Sequence, residues 1–351
     1  MLKNYKPVFD ATVKEKLEKA GFSITGNFNI DDFETMEISL ALACDTGGEI
    51  RQACLSRGLT GIKPTYGAVS RYGLFGGASS LGQIGPIGKN IEDCAALLTV
   101  ISGPDSKDST CVIEEPFNFS ETVPGGSLPE KTEGLKIGLP ENLFDTSIGE
   151  NNNPFLAAVK VFEEAGAKTE KFDLPLTDYL IPTYNIIASA EASSNFTCFD
   201  GLKYGYRSGS AKSLSDVYML SRSEGFEYEE KKKIMLGSLF LSSECYNVYF
   251  KKAMQVRTLI IDAYRSLFER FDMILSPVGD ICNIIANLAG LPAAVLPCGI
   301  DKNGAATAFQ LMGKAFSENK LVNAARIYQS RTDHHMKKTG TENTKPGGEA
   351  S

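Results

Sequence analysis

Histidine is almost absent from this chain: the only two, His334 and His335, sit side by side in a polar C-terminal stretch. A Ser-His-Asp or Cys-His arrangement therefore cannot be assembled in its core, and any hydrolytic chemistry has to be histidine-free. Eight cysteines are scattered without a single C-x-x-C pair, so neither a zinc site nor a redox motif is signalled, and the thiols read as reduced and mostly buried. No metal ligand set is expected. Basic residues are not in excess, 36 Lys and Arg against 43 Asp and Glu for a net charge of −7. Phosphate contact needs clustered cations, and the one basic run is Lys231-Lys232-Lys233, so direct nucleic-acid binding is not expected. No apolar run reaches the roughly 18 to 20 residues of a spanning helix, and the charged opening Met1 to Lys6 lacks a signal peptide's apolar core, which makes the cytoplasm the expected compartment and leaves no membrane role. Neither a P-loop nor a strand-linked G-x-G-x-x-G is present, so no nucleotide cofactor, and no cofactor of any kind, is indicated.

What is present is ordinary globular composition, 42% apolar and 23% charged over 351 residues, enough to bury a large α/β core as one domain or two smaller ones. The informative stretch runs from Ile38 to Gly88. A short apolar run (Ile38, Leu40, Ala41, Leu42, Ala43) leads into Asp45-Thr46-Gly47-Gly48-Glu49-Ile50-Arg51, then Gly61-Ile62-Lys63-Pro64-Thr65-Tyr66-Gly67, and finally Ser79-Ser80-Leu81 and Gly85-Pro86-Ile87. Two adjacent glycines after a buried strand permit positive φ and the close approach of a ligand, and successive N–H groups of Thr46, Gly47 and Gly48 can form an anion-binding nest of oxyanion-hole shape. Read alone, the motif is also satisfied by a tight strand-to-helix turn without chemistry.

These segments, together with Val69-Ser70-Arg71-Tyr72-Gly73-Leu74, Ile234-Met235-Leu236-Gly237 and Asn287-Leu288-Ala289-Gly290-Leu291-Pro292, resemble the amidase signature family. The likeness is to those members that serve as the A subunits of glutamyl-tRNA(Gln)/aspartyl-tRNA(Asn) amidotransferases, and it runs from about Asn4 to Lys338. It implies an α/β fold, a mixed sheet flanked by helices, here with a partly deleted core. It also implies glutamine amidohydrolase chemistry that produces ammonia, and the amidotransferase B and C subunits as partners.

The catalytic set that the resemblance implies is a serine nucleophile after the two glycines, a second serine held by a cis peptide, and a lysine base. Glu49 stands at the nucleophile position. The segment that should carry the second serine would fall between Asn29-Ile30-Asp31-Asp32-Phe33 and Asp45, where only Glu34 to Cys44 intervene, and the lysine would lie upstream of Asn4. Both are expected to be missing. Glu49 itself is expected either to occupy the nest with its own carboxylate, which keeps it anionic and weakly basic, or to act as a base toward water. In the family, an acid and an arginine hold the α-amino and α-carboxylate groups of glutamine. The acid falls on Asp280, the arginine on Lys233, which offers charge without a planar fork. The loop before Asp280 is short, so a surface acid is an equally good reading of it.

Along the chain, Pro7 to Ala20 has helical spacing ended by Gly21, and Phe22 with Ile24 alternates like a strand. Asn90 with Asp93 reads as a capped start for a helix over 91–102. Residues 112–134 have the composition of a linker or surface loop and mark a boundary between an N-terminal part (1–111) and the remainder of the α/β domain (135–331). Leu135 to Leu139, a helix from Asn153-Pro154, and Ala167 to Phe172 form a strand-helix-strand unit that argues for a parallel pair. Residues 183–270 are expected to be a mostly helical insertion. Strands follow at 271–275, 293–296 and 306–311, then a helix over 317–330, and a disordered tail over 332–351. The function expected is that of an A-subunit relative lacking or severely impaired in catalysis. The alternatives are a non-catalytic binding or regulatory partner of amidotransferase subunits, and a decayed, poorly folding gene product.

Overall fold

A computed structural model describes residues 1, 7–24, 26, 40–119, 134–143, 153–301 and 304–336. Its centre is one sheet of eight strands: β1 (Leu40–Asp45), β2 (Thr60–Lys63), β3 (Gln83–Gly88), β4 (Lys136–Pro140), β5 (Lys168–Phe172), β6 (Met273–Pro277), β7 (Ala293–Ile300) and β8 (Ala306–Gly313). Across the sheet the order is β1-β3-β2-β7-β8-β6-β4-β5, with β4 parallel to both β5 and β6 and every other pair antiparallel. Strands from before and after 112–134 thus share one sheet, β2 pairing directly with β7. The expected break between Glu34 and Cys44 falls mostly outside the described residues.

The central strands read as continuous apolar runs because both faces are covered. Ala294, Leu296, Phe309, Leu311, Met273 and Leu275 face one core, packed under α3 (Ile91–Ile101), α4 (Pro154–Glu164) and α10 (Glu318–Arg331). The alternate residues Ala293, Met312 and Ile274 face a second core with α5 (Thr177–Asn195), α8 (Phe250–Arg270) and α9 (Asp280–Leu288). Val295 and Ala308 meet Ile50 and Cys54 of α2 (Glu49–Arg57) in a smaller cluster on that same side. The period of two along each strand sorts its residues between the cores.

Local signals hold where capping is local. The Asn90 side chain accepts the Asp93 amide at 2.8 Å to start α3. Asn153 accepts the Phe155 amide at 3.0 Å, with Pro154 opening α4, a position that needs no donor. The β4-α4-β5 unit is parallel in register from Lys136↔Lys168 to Pro140↔Phe172. Helices α5, α6 (Leu214–Gly225), α7 (Tyr228–Phe240) and α8 fill the expected helical stretch.

Four readings change. Helix α1 is Thr12–Lys19, not 7–20: Ala11 stays extended as its cap, and Phe9 leaves the axis to pack its ring 5.1 Å from Tyr72. Phe22 to Ile24 form no strand and both apolar residues are exposed, since alternation is stable only beside a partner strand. Strand β1 is an edge strand with only Ala41 and Asp45 buried, so the glycine pair does not follow a fully buried strand. Beyond Arg331 the chain makes a 3-10 turn over His334–Met336, the His334 ring lying 6.4 Å from Tyr328. Residues 337–351 lie outside the described set.

Of the cysteines, Cys54, Cys94, Cys282 and Cys298 are buried, Cys44, Cys111 and Cys245 half-buried, and Cys198 exposed, all as free thiols.

Candidate active site

The turn after β1 is built by Asp45. With Gly48 at φ 112° the chain reverses into α2, and this glycine has no room for a side chain, because a Cβ would come 2.5 Å from that of Asn283. The two Asp45 oxygens then take the amides that open the helix: Gly48 N–H donates to Oδ1 at 3.1 Å and Ile50 N–H to Oδ2 at 3.2 Å. These are the orphan donors of a helix start, where negative charge is favoured.

The remaining two amides of the nest face Glu49. Thr46 N–H donates to Glu49 Oε2 at 2.6 Å and Gly47 N–H donates to the same oxygen at 2.8 Å. Gly48 does not join them, its amide being held by Asp45, so the nest as built comprises Thr46 and Gly47 only. Tyr184 of α5 lies over it: a Cβ on Gly47 would sit 2.3 Å from the phenol oxygen. Burial, helped by the charges of Glu49 and Asp45, pushes the Tyr184 phenol up to about 12.

Beneath the turn is a buried polar network. Arg51, with no solvent exposure, grips Asp45 through Nη2 to Oδ1 at 2.8 Å and Nε to Oδ2 at 3.2 Å. It also donates to the Asn283 carbonyl at 2.8 Å, to Gln310 at 3.3 Å and to Asn287 Oδ1 at 2.5 Å. Asn287 returns its amide to the Asp45 carbonyl, to Asp45 Oδ1 and to the Leu81 carbonyl. Burial alone would raise the Asp45 carboxyl, but Arg51's charge and hydrogen bonds, with Lys63 and Asn287, hold it below the usual range. Lys63, buried on β2 and donating to the Pro64 carbonyl at 3.0 Å, is pushed down to about 7 by burial and by Arg51, against Asp45 and Glu318. Glu318 accepts the Thr65 amide at 2.7 Å, and burial raises its carboxyl.

Asp280 is not a loop residue: it is the exposed first residue of α9, one turn before the Asn283 that packs on Gly48. Lys233 is exposed on α7. No hydrogen bond or ion pair joins the two, whereas Thr46, Gly47 and Glu49 converge. Gln310 carries no sequence signal, and Lys63, Arg51 and Asn287 are visible in sequence only as members of the glycine-rich and N-L-A-G segments. Among the described residues no group of three or more His, Cys, Asp or Glu could hold a metal ion.

A glycine turn at an edge strand, capped into a helix and tied by Asp-Arg-Asn to the helix behind, together with this mixed sheet, defines an amidase-type domain. Residues 36–281 match the family model described as Amidase, and the chain belongs to that family. It is similar to the A subunit of the glutamyl-tRNA(Gln) amidotransferase of Lachnospira eligens, 40% identical over 385 residues that span 94% of this chain and 79% of the relative. It is likewise similar to that of a Geobacillus strain, 38% identical over 394 residues, 96% of this chain and 80% of the relative. The crystal structure of the glutamyl-tRNA(Gln) amidotransferase A subunit from Thermotoga maritima superposes with a TM-score of 0.74 at 32% identity, covering 94% of this chain and 78% of that one. A peptide amidase from Stenotrophomonas maltophilia, at 22% identity and TM-score 0.67 over 86% of this chain and 64% of that one, shares the fold.

Proposed function

We propose that this chain is an amidase of the A-subunit type that has lost glutamine hydrolysis and retains the fold as a partner of the amidotransferase B and C subunits in the cytoplasm. The observation that carries the reading is the Glu49 carboxylate on the Thr46 and Gly47 amides. A residue that occupies the nest with its own negative charge both displaces the nucleophile and blocks the place where a developing oxyanion would be stabilised. In line with a missing internal segment, the alignments to the relatives run over 385 and 394 residues, more than the chain's own 351.

Glutamine recognition by Asp280 and Lys233 belongs to the same proposal in weakened form. Lys233 lacks the bidentate fork of an arginine, so glutamine is expected to bind no tighter than about 1 mM. The partner reading is favoured by Met235 and Leu239, four positions apart on one face of α7 and exposed at 74% and 50%. No helix among the described residues is long and apolar enough to cross a membrane.

The test is a glutaminase assay on the purified chain with and without an amidotransferase B-type partner protein, alongside co-purification of the two. Background hydrolysis in both tubes and a stable complex are expected. Glutamate release above background in either tube overturns the loss of catalysis.

A further inference from the structure

Beside the turn lies a cavity of about 610 Å³, within the size range of small-molecule sites. Its walls include six aromatic rings, Phe9, Tyr72, Phe75, Phe196, Phe199 and Tyr204. Gly82 forms part of the wall and separates the cavity from Thr46, to whose hydroxyl a Cβ on Gly82 would come within 3.3 Å. Glu49 does not line it.

The lining charges are committed elsewhere. Arg71 donates to Thr110 Oγ1 at 3.0 and 3.3 Å and to the Ser79 carbonyl, and lies over the Tyr66 ring. Lys107 pairs with Glu15 at 2.9 Å, and Asp108 accepts the Arg71 amide and Thr110. Two hydrogen-bonded neighbours on the wall, Asn195 and Ser79, form a donor–acceptor edge. Asn195 spends its amide protons on the Gly77 carbonyl at 3.0 Å and Ser79 Oγ at 2.9 Å, leaving Oδ1 as an acceptor. Ser79 Oγ, having accepted, still has its own proton to give.

We propose that this cavity binds a flat, uncharged heteroaromatic ring with a lactam edge. The rings offer stacking faces to a planar ligand. The Ser79 hydroxyl donates to the lactam carbonyl, and Asn195 Oδ1 accepts from the adjacent ring N–H. A neutral ligand suits the lactam edge better than an anion, since Lys107 is paired with Glu15 and the Arg71 guanidinium is turned onto Thr110, the Ser79 carbonyl and the Tyr66 ring. The site is independent of the proposed loss of catalysis, and its readout is binding, not turnover.

Calorimetric titration of the full chain with isoquinolin-1(2H)-one tests it, with isoquinoline as the comparison that keeps the ring but lacks the lactam edge, and 1-naphthoate as the anion. Saturable one-site binding of the lactam is expected, about tenfold tighter than isoquinoline, the scale of two net hydrogen bonds, and 1-naphthoate should be no better than isoquinoline. Ser79→Ala removes one of the two bonds and should weaken the lactam about threefold, with isoquinoline unchanged. Gly76 also lines the cavity, and its would-be Cβ meets nothing nearer than Leu74 at 3.9 Å. Gly76→Phe should therefore fill the space and abolish binding while thermal unfolding remains cooperative. Absence of saturable lactam binding, equal affinity for lactam and isoquinoline, preference for the anion, or binding that survives Gly76→Phe overturns the proposal.

Discussion

Arg51 and Asp45 face each other in full burial, two guanidinium nitrogens at 2.8 and 3.2 Å from the two carboxylate oxygens. Because Asp45 also caps Gly48 and Ile50, the pair couples the core to the turn that carries Glu49. Breaking it from one side leaves an uncompensated buried charge. Arg51→Met should cost about 3 to 5 kcal/mol, measured by urea unfolding. Arg51→Met combined with Asp45→Asn should cost less than the sum of the two single changes, since neither variant residue is then charged.

Gly237, in the I-M-L-G segment, is where α5 and α7 touch. A Cβ there would fall 2.0 Å from the Ser189 carbonyl oxygen and 2.5 Å from Ser193 Cβ. Neither helix can yield without moving its backbone. Gly237→Ala should destabilise by about 1 to 3 kcal/mol, the scale of overpacking. Gly209→Ala, where nothing lies within 4 Å, should leave the melting temperature nearly unchanged.

Lys63 gives a pH dependence of definite sign. Its folded value, about 7, lies below that of an unfolded lysine, so the unfolded chain binds more protons between the two values. Stability from this group is therefore lowest below pH 7 and rises as pH climbs through 7. Buried thiols act oppositely at higher pH, since burial raises Cys44 to about 11 and Cys282 to about 11, so the clean window is pH 6.5 to about 8. Melting temperature should rise across that window in the native chain. In Lys63→Met the rise should be absent.

Restoring one catalytic group should not restore catalysis. A serine hydroxyl is a weak nucleophile without an adjacent base, and residues that act as a unit lose most of their joint effect when one is missing. Glu49→Ser would vacate the Thr46 and Gly47 amides, yet the titratable groups around the turn supply no free base: Cys44 is raised to about 11 and Tyr184 to about 12, and Asp45 and Arg51 are locked to each other. No amidase turnover and no burst with an activated ester are expected. A burst from this single variant would identify an unrecognised base.

Residues close together in sequence determined much of this protein. The caps at Asn90 and Asn153 and the Asp45 capping of the reversal at Gly47-Gly48 depend on atoms within one or two turns of chain, and the strand-helix-strand unit over 136–172 is written in three successive segments of distinct period, so composition and spacing reveal them. The run from Pro7 and the alternation of Phe22 with Ile24 misled for the complementary reason, that an end or a strand is settled by what packs beside it. Only the tertiary structure decided which groups Asp45, Arg51 and Asn287 would bind, because Arg51 and Asn287 are separated by 236 positions and meet through the placement of α9 behind α2. It likewise decided that Asp280 starts a helix and that Gly237 is a crossing point. No periodicity encodes a buried polar partner that distant; its position is set by how two cores close on one sheet.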